Sequence, residues 1–402
     1  MADDLYPLTT AKDEAEILLM DVADKIQLTP TQHSEAERNY HALAGWVDGP
    51  GSVLQGKVLD VYPSGSFAIG APILGKIKSQ QHDLDAVIPL ALSPTADPKT
   101  VLELLEKAIK REEGTRYHDK TRRNSRCVTV TYDDGRSVDL MPVVRLPGTP
   151  EKVSTLFHWK SDTGESYHKQ VNPKGFADYF LARVRVSVLF EKAYARRRLV
   201  TKADAKPLPA LVPLDQKAPR IVALQLIKRK RDIAYRRTEF SGVRKPPSVV
   251  LAAMALDAVV SSDYLVDEVI AVATTIRDAI RAESAFGRVL QVANPAWTPD
   301  IFTDRWPKTV AVQEMFAREL DGLIKDMQRL AREYLTAYER VEILKLHFGE
   351  TAANHAIDRL GEIYEAQRAQ GRTRVGTGGA VSLLPSGAEA LTKRTPFGGD
   401  RD

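Results

Sequence analysis

One stretch, Tyr62–Leu90 (YPSGSFAIGAPILGKIKSQQHDLDAVIPL), constrains this chain more than any other. Gly65-Ser66 follows an apolar run and reads as a turn. Sixteen residues separate it from Asp83-Leu84-Asp85, which opens a segment with the character of a buried strand. Side chains alternate along a strand, so Asp83 and Asp85 project to one side while Leu84 and Ala86 face the other. Two neighbouring carboxylates repel unless a cation lies between them. Hard oxygen ligands suit Mg²⁺, which keeps open positions for substrate phosphates. A Gly-Ser turn just upstream brings backbone N–H groups and a hydroxyl to a phosphate, because glycine permits both the dihedrals and the close approach. A nucleoside triphosphate with its metal is the joint ligand that this order of residues suggests. Taken separately, the same parts read as a solvated charge pair and an ordinary turn.

A third acid sharpens the reading. Arg126–Asp134 alternates like a strand, Asp133-Asp134-Gly135 is a hairpin signal, and Ser137–Val144 reads as the return strand. Asp139 falls in its middle, between Val138 and Leu140, where an unpaired buried carboxylate is costly. One resolution is a neighbouring arginine or a set of backbone donors. The other is a two-metal site, in which Asp83 and Asp85 bind the ion carrying the triphosphate and Asp139 helps to hold a second ion and activate the attacking hydroxyl.

Gly65-Ser66, then Asp83-Leu84-Asp85, then Val138-Asp139-Leu140-Met141-Pro142 resembles the signature of the polymerase-β-type nucleotidyltransferase superfamily. More narrowly it resembles the CD-NTases, cyclic-oligonucleotide synthases related to cyclic GMP-AMP synthase and oligoadenylate synthase. The resemblance implies an α+β fold: a nucleotidyltransferase core of mixed sheet and helices, plus a C-terminal helical lobe, with the active site in the cleft between them. It implies an enzyme that joins NTPs into a cyclic di- or trinucleotide, releasing pyrophosphate, with ATP and GTP as the substrates in view. The cofactor implied is a pair of Mg²⁺ ions, for which Mn²⁺ can substitute. It further implies bacterial anti-phage signalling, with a separate effector that responds to the product and room for a regulatory partner protein.

Composition bounds the remaining alternatives. The chain of 402 residues is long enough for two domains with their own cores, and 43% hydrophobic with 27% charged residues describes an ordinary globular protein. A net charge of +4 does not call for a nucleic-acid partner, although clustered Lys and Arg can still form a local anion site. A single cysteine, Cys127, excludes an internal disulfide and a cysteine-based zinc site, and it reads as a small core residue. The first residues, MADDLYPLTTAKDEAE, carry neither a basic nor an apolar targeting region, and no window approaches a membrane span, so a cytoplasmic protein without a membrane partner is expected.

In chain order, helical spacing predicts helices over Ala11–Leu28 and from Pro30 through Trp46, a first core strand over Val53–Val61, and a helix over Thr100–Arg111. Thr115–Tyr132 is expected to supply further strand. The core spans residues 1–165, a helical lobe 166–370, and a tail 371–402, with seven glycines in thirty-two residues, lacks the apolar surface to order itself. Asn172-Pro173 starts a helix expected over Phe176–Tyr194, ending at the basic string Arg196-Arg197-Arg198. Ala218–Arg237 is a helix whose Lys228-Arg229-Lys230-Arg231 run reads, on spacing alone, equally as a solvated or snorkelling cationic face and as a functional one. By resemblance, Lys228 matches a lysine that holds the donor triphosphate. Ser248, before the next apolar helix, is an N-cap candidate, and by resemblance it contacts nucleotide phosphates. The loop from Asn294 to Pro307 reads as structural. Two rivals stand beside the synthase: a transferase with an RNA or tRNA acceptor, which needs a long basic track, and a nucleotide-binding homologue that has lost catalysis.

Overall fold

The computed structural model describes residues 10–75, 83–150, 152–185, 217–260, 262–369, 373–375 and 381–383. The Arg196-Arg197-Arg198 string, the later part of the helix expected from Phe176, the centre of the Gly65 to Asp83 connection and most of the glycine-rich tail lie outside these residues. Thr10 and Asp13 form a capping box that opens α1 (Ala11–Ile26), and Thr29 and Gln32 do the same for α2 (Pro30–Asp48), with Pro30 at a first helical position. The two helices then part. Leu18, Leu19 and Val22 of α1 are buried among the C-terminal helices, whereas Tyr40, Leu43 and Val47 of α2 pack on the sheet.

The sheet is built from β1 (Tyr62–Pro63), then, after the short helix α3 (Gly65–Ala68), β2 (Asp83–Pro89); α4 (Pro98–Lys110) follows, and then β3 (Thr121–Arg123), β4 (Val128–Thr131), β5 (Ser137–Arg145), β6 (Ser154–Trp159) and β7 (Ser166–Val171). It has seven strands in the order β1-β2-β5-β4-β3, with β6 on the far half of β5 and β7 beyond it. β2 and β5 run parallel and the remaining pairs antiparallel, so the sheet is mixed. Its lower face is apolar: Leu84, Ala86, Ile88, Val138 and Leu140 are buried against Leu43 of α2 and Val101, Leu105 and Ile109 of α4. Alternation therefore turns Asp83, Asp85 and Asp139 to the other face.

Three expectations change here. Val53–Val61 is a series of turns that touches the sheet through one bridge, Val58 to Leu90, because Gly51 and Gly56 adopt φ of +81° and +72° and keep the chain from extending. Thr115–Tyr132 forms two short strands, separated by a turn in which the Asn124 N–H donates to the Cys127 carbonyl at 2.9 Å. The sheet also runs on to Val171, past the boundary at residue 165, because all six residues of β7 pair with β6.

The second layer is helical: α5 (Pro173–Leu181), α6 (Pro219–Ala234), α7 (Ser248–Ala255), α8 (Leu265–Ser284), α9 (Val310–Arg332), α10 (Ala337–Phe348) and α11 (Glu350–Ala369). α5 ends at Leu181, short of the expected end. Asn294–Pro307 carries a two-stranded ribbon, Ala293–Asn294 with Trp297–Ile301. α6 is the axis of this lobe, and that overturns the solvated reading of its basic run. Lys228, Arg229, Lys230 and Arg231 are all buried, each with its own partner: the Ala71 carbonyl, the Phe348 carbonyl, Glu319 and the Pro246 carbonyl. Buried cations require such partners. No helix among the described residues is long and apolar enough to cross a membrane.

Glu16 of α1 is 2% exposed, and its carboxylate accepts the N–H groups of Leu265 and Val266 at 2.9 and 3.3 Å, at the start of α8. Burial outweighs those donors and pushes its pKa up to about 8. The folded state therefore holds a proton that the unfolded chain releases near pH 4.5, and stability attributable to Glu16 falls as pH rises from there to about 8. Glu16→Gln removes this term. Melting both proteins at pH 5 and pH 9 should show the variant gaining a few degrees relative to wild type at the higher pH; a difference independent of pH would contradict the burial argument.

Candidate active site

The register of β2 and β5 brings the three aspartates together. Asp85 stands directly beside Asp139 and Asp83 beside Ser137, all on the upper face. Asp83 is open to the cleft, and Asp85 and Asp139 are half-buried. Asp83 accepts a hydrogen bond from the Ser137 hydroxyl, and Asp139 one from the Thr129 hydroxyl. Burial pushes Asp85 up to about 7, with the charges of Asp139 and Asp83 adding to the effect and Lys228 opposing it. Burial also raises Asp139, against the Thr129 hydrogen bond. Two carboxylates whose ionisation is disfavoured, Asp85 and Asp139, with a third beside them on the same face, make a site in want of positive charge.

Gly65 sits against the same cluster. It has φ +55°, and a Cβ built there would collide with the Asp85 carboxylate. The Ser64 N–H donates to the Asp85 carbonyl at 2.8 Å, which ties the turn to β2, and Ser66 faces the cleft. Lys228 reaches the cleft from α6 and donates to the Ala71 carbonyl at 2.7 Å, just past the turn; burial lowers it to about 7. Ser248 lies in the same cleft but is not an N-cap. Pro247 holds that position, and the Ser248 hydroxyl accepts from Arg231 at 3.0 Å, since that buried guanidinium needs the acceptor.

The cleft has a volume of about 1210 Å³, and its walls carry ten Lys and Arg against six Asp and Glu, so the chain's modest positive charge is concentrated where phosphates would lie. Several of these residues carry no local sequence signal. Arg126, in the turn between β3 and β4, donates to His158 Nδ1 at 3.1 Å and to the Tyr167 hydroxyl at 2.6 Å, and pairs with Asp304 at 2.7 Å. His158 and Tyr167 stack with centroids 4.2 Å apart. Asp304 and Arg305 come from the loop read as structural; in the fold that loop crosses to the sheet, where Lys169 also holds Asp304 at 3.0 Å and Arg305 donates to Ser125 at 2.9 Å.

The aspartates share one face of the sheet and offer the hard oxygen donors that a divalent ion takes. Among the described residues no three His, Cys, Asp or Glu side chains close around a metal by themselves. The hydroxyls of Ser137 and Thr129 occupy one oxygen each of Asp83 and Asp139.

Residues 17–176 match the Second Messenger Oligonucleotide or Dinucleotide Synthetase domain. The chain is 31% identical to the cyclic dinucleotide synthase CdnG of Bradyrhizobium diazoefficiens over 94% of each chain, and 23% identical to a c-di-GMP synthase of Roseivirga ehrenbergii over 97% of this chain and 99% of the other. The structure of the Bradyrhizobium diazoefficiens CD-NTase CdnG in complex with GTP superposes with a TM-score of 0.72 at 29% identity, covering 86% of this chain and 99% of that one. A mixed sheet facing a helical lobe in this arrangement is the polymerase-β-like nucleotidyltransferase fold. Within that class the chain belongs to the CD-NTase family of cyclic-oligonucleotide synthases, nucleotidyltransferase enzymes of a superfamily that uses divalent metal ions.

Proposed function

We propose that this protein makes a guanine-containing cyclic dinucleotide from nucleoside triphosphates, GTP among them. The observation that carries the reading is the alignment of Asp85 beside Asp139, with Asp83 on the same face, on the floor of a cationic cleft. The relatives' names, cyclic dinucleotide synthase and c-di-GMP synthase, and the GTP complex of one of them support the product and substrate. A single small-molecule pocket holds about 300–1,000 Å³, and this cleft exceeds that range, which suits two nucleotides at once.

In this reading Asp83, Asp85 and Asp139 hold two Mg²⁺ ions, replaceable by Mn²⁺. When bound, the metal neutralises phosphate charge and lowers the pKa of the attacking ribose hydroxyl. The turn at Gly65-Ser66 receives the donor phosphates, with Lys228 bracing that turn through Ala71 and Ser248 lining the far wall. The basic residues Arg126 and Arg305 line the side nearer Asp139 and face the acceptor. The acceptor hydroxyl oxygen forms a bond to the α-phosphorus of the donor, the bond from that phosphorus to the bridging oxygen breaks, pyrophosphate leaves with the electron pair, and the hydroxyl proton passes to solvent. A second such step closes the ring. Cytoplasmic residence in a bacterium and a separate effector that responds to the product in anti-phage defence complete the reading on the family pattern.

Incubation of the purified protein with the four labelled NTPs and Mg²⁺ or Mn²⁺ tests it. A small phosphatase-resistant product containing label from GTP is expected. Label appearing instead in added RNA, or NTPs left intact, would overturn the proposal.

A further inference from the structure

Ser137 and Thr129 stand at equivalent places around the aspartates. Ser137 is the register partner of Asp83 across the parallel pair, and Thr129 is that of Asp139 across the antiparallel pair of β4 with β5. The Thr129 hydroxyl donates to Asp139 Oδ1. Its own direction is set one step back, because Asn124 Nδ2 donates to Thr129 Oγ1 at 2.7 Å. A hydroxyl carries one proton. With an amide N–H entering its lone pair, the Thr129 proton has Asp139 as its acceptor, so Oδ1 is occupied, and the Cys127 thiol is a further hydrogen-bond partner of the same carboxylate.

The geometry points to Thr129, oriented by Asn124, as a positioning residue that holds the Asp139 carboxylate in place for a divalent cation. This rests on the reading above, in which the three aspartates are metal ligands. A carboxylate free to rotate would spread its population over orientations that cannot bind, and the Thr129 bond removes that freedom before metal arrives. Charge-assisted O–H···O⁻ bonds are among the stronger hydrogen bonds, and partners of this kind commonly tune metal affinity by about 10–100-fold. The chain Asn124 to Thr129 to Asp139 spans the turn between β3 and β4, β4 itself and β5, so the fold of that hairpin is what holds the carboxylate.

Mn²⁺ binding to the full chain without nucleotide, followed by the electron paramagnetic resonance signal of the free ion, tests the assignment independently of turnover. Thr129→Val keeps the shape and removes the hydroxyl, so Mn²⁺ affinity should fall by about 10–100-fold, while Thr129→Ser should bind as wild type does. Asn124→Ala, which leaves the hydroxyl but releases its direction, should fall between them, and it carries the test if Thr129→Val does not fold. Affinity unchanged in Thr129→Val or Asn124→Ala, or lost equally in Thr129→Ser, overturns the positioning role and leaves the metal site standing. If wild type binds Mn²⁺ no better than a protein lacking Asp83 and Asp85, the metal reading itself fails and this inference falls with it.

Discussion

Replacing Asp83 and Asp85 together by alanine should lower NTP consumption by at least about 10³-fold, roughly 4 kcal/mol of transition-state stabilisation, while the thermal midpoint of the metal-free protein stays the same or rises. The two effects have one cause. Asp85 is crowded by protein on every side but the cleft, and the charges of Asp139 and Asp83 add to the cost of its ionisation. Without a cation these carboxylates oppose folding, and removing two of them relieves repulsion at the expense of the Ser137 hydrogen bond to Asp83. Product formation by rapid quench and melting by circular dichroism read both effects. Residual turnover within tenfold of wild type would rule out a metal-binding role for these residues.

Gly65→Ala is expected to be nearly as severe for catalysis through a different route. At φ +55° any side chain costs about 1–2 kcal/mol, and here the added methyl also meets the Asp85 carboxylate. Asp85 or the turn must move, and a displacement near 1 Å in a site of this kind can cost on the order of 10²-fold in rate. Gly70→Ala separates strain from collision. Gly70 has φ +69°, yet the nearest atom to an added Cβ is Ile221 Cδ1 at 3.9 Å. The Gly70 variant should lose similar stability and keep most of its activity. Equal activity of the two variants would show that the turn does not support Asp85.

How much of this was legible in the chain follows from the range of each interaction. The hairpin at Asp133-Asp134-Gly135 was readable because strand alternation and turn chemistry are local: Gly135 adopts φ +84°, and Arg136 folds back on Asp134 within two residues. The same locality misled at Val53–Val61, where an apolar run resembles a strand but the surrounding glycines hold it in turns. The run Lys228-Arg229-Lys230-Arg231 was left open between a solvated and a functional reading for the opposite reason. Spacing cannot distinguish a helix on the surface from one at the centre of a lobe, and the partners of these cations include residues more than a hundred positions away in sequence. Arg126, Asp304 and Arg305 belong to the same class, since nothing near them in the chain announces a cleft.

Local sequence thus decided which residues alternate, where the turns fall and which face of each strand is polar, because these depend on neighbours one to four positions apart. It also named the three aspartates by chemical type. Their convergence was decided by the tertiary structure alone: the parallel pairing of β2 with β5 sets Asp85 beside Asp139 across more than fifty residues of chain. Register between distant strands is chosen by which faces can be buried together, and only the packed sheet, with α2 and α4 beneath it, makes that choice.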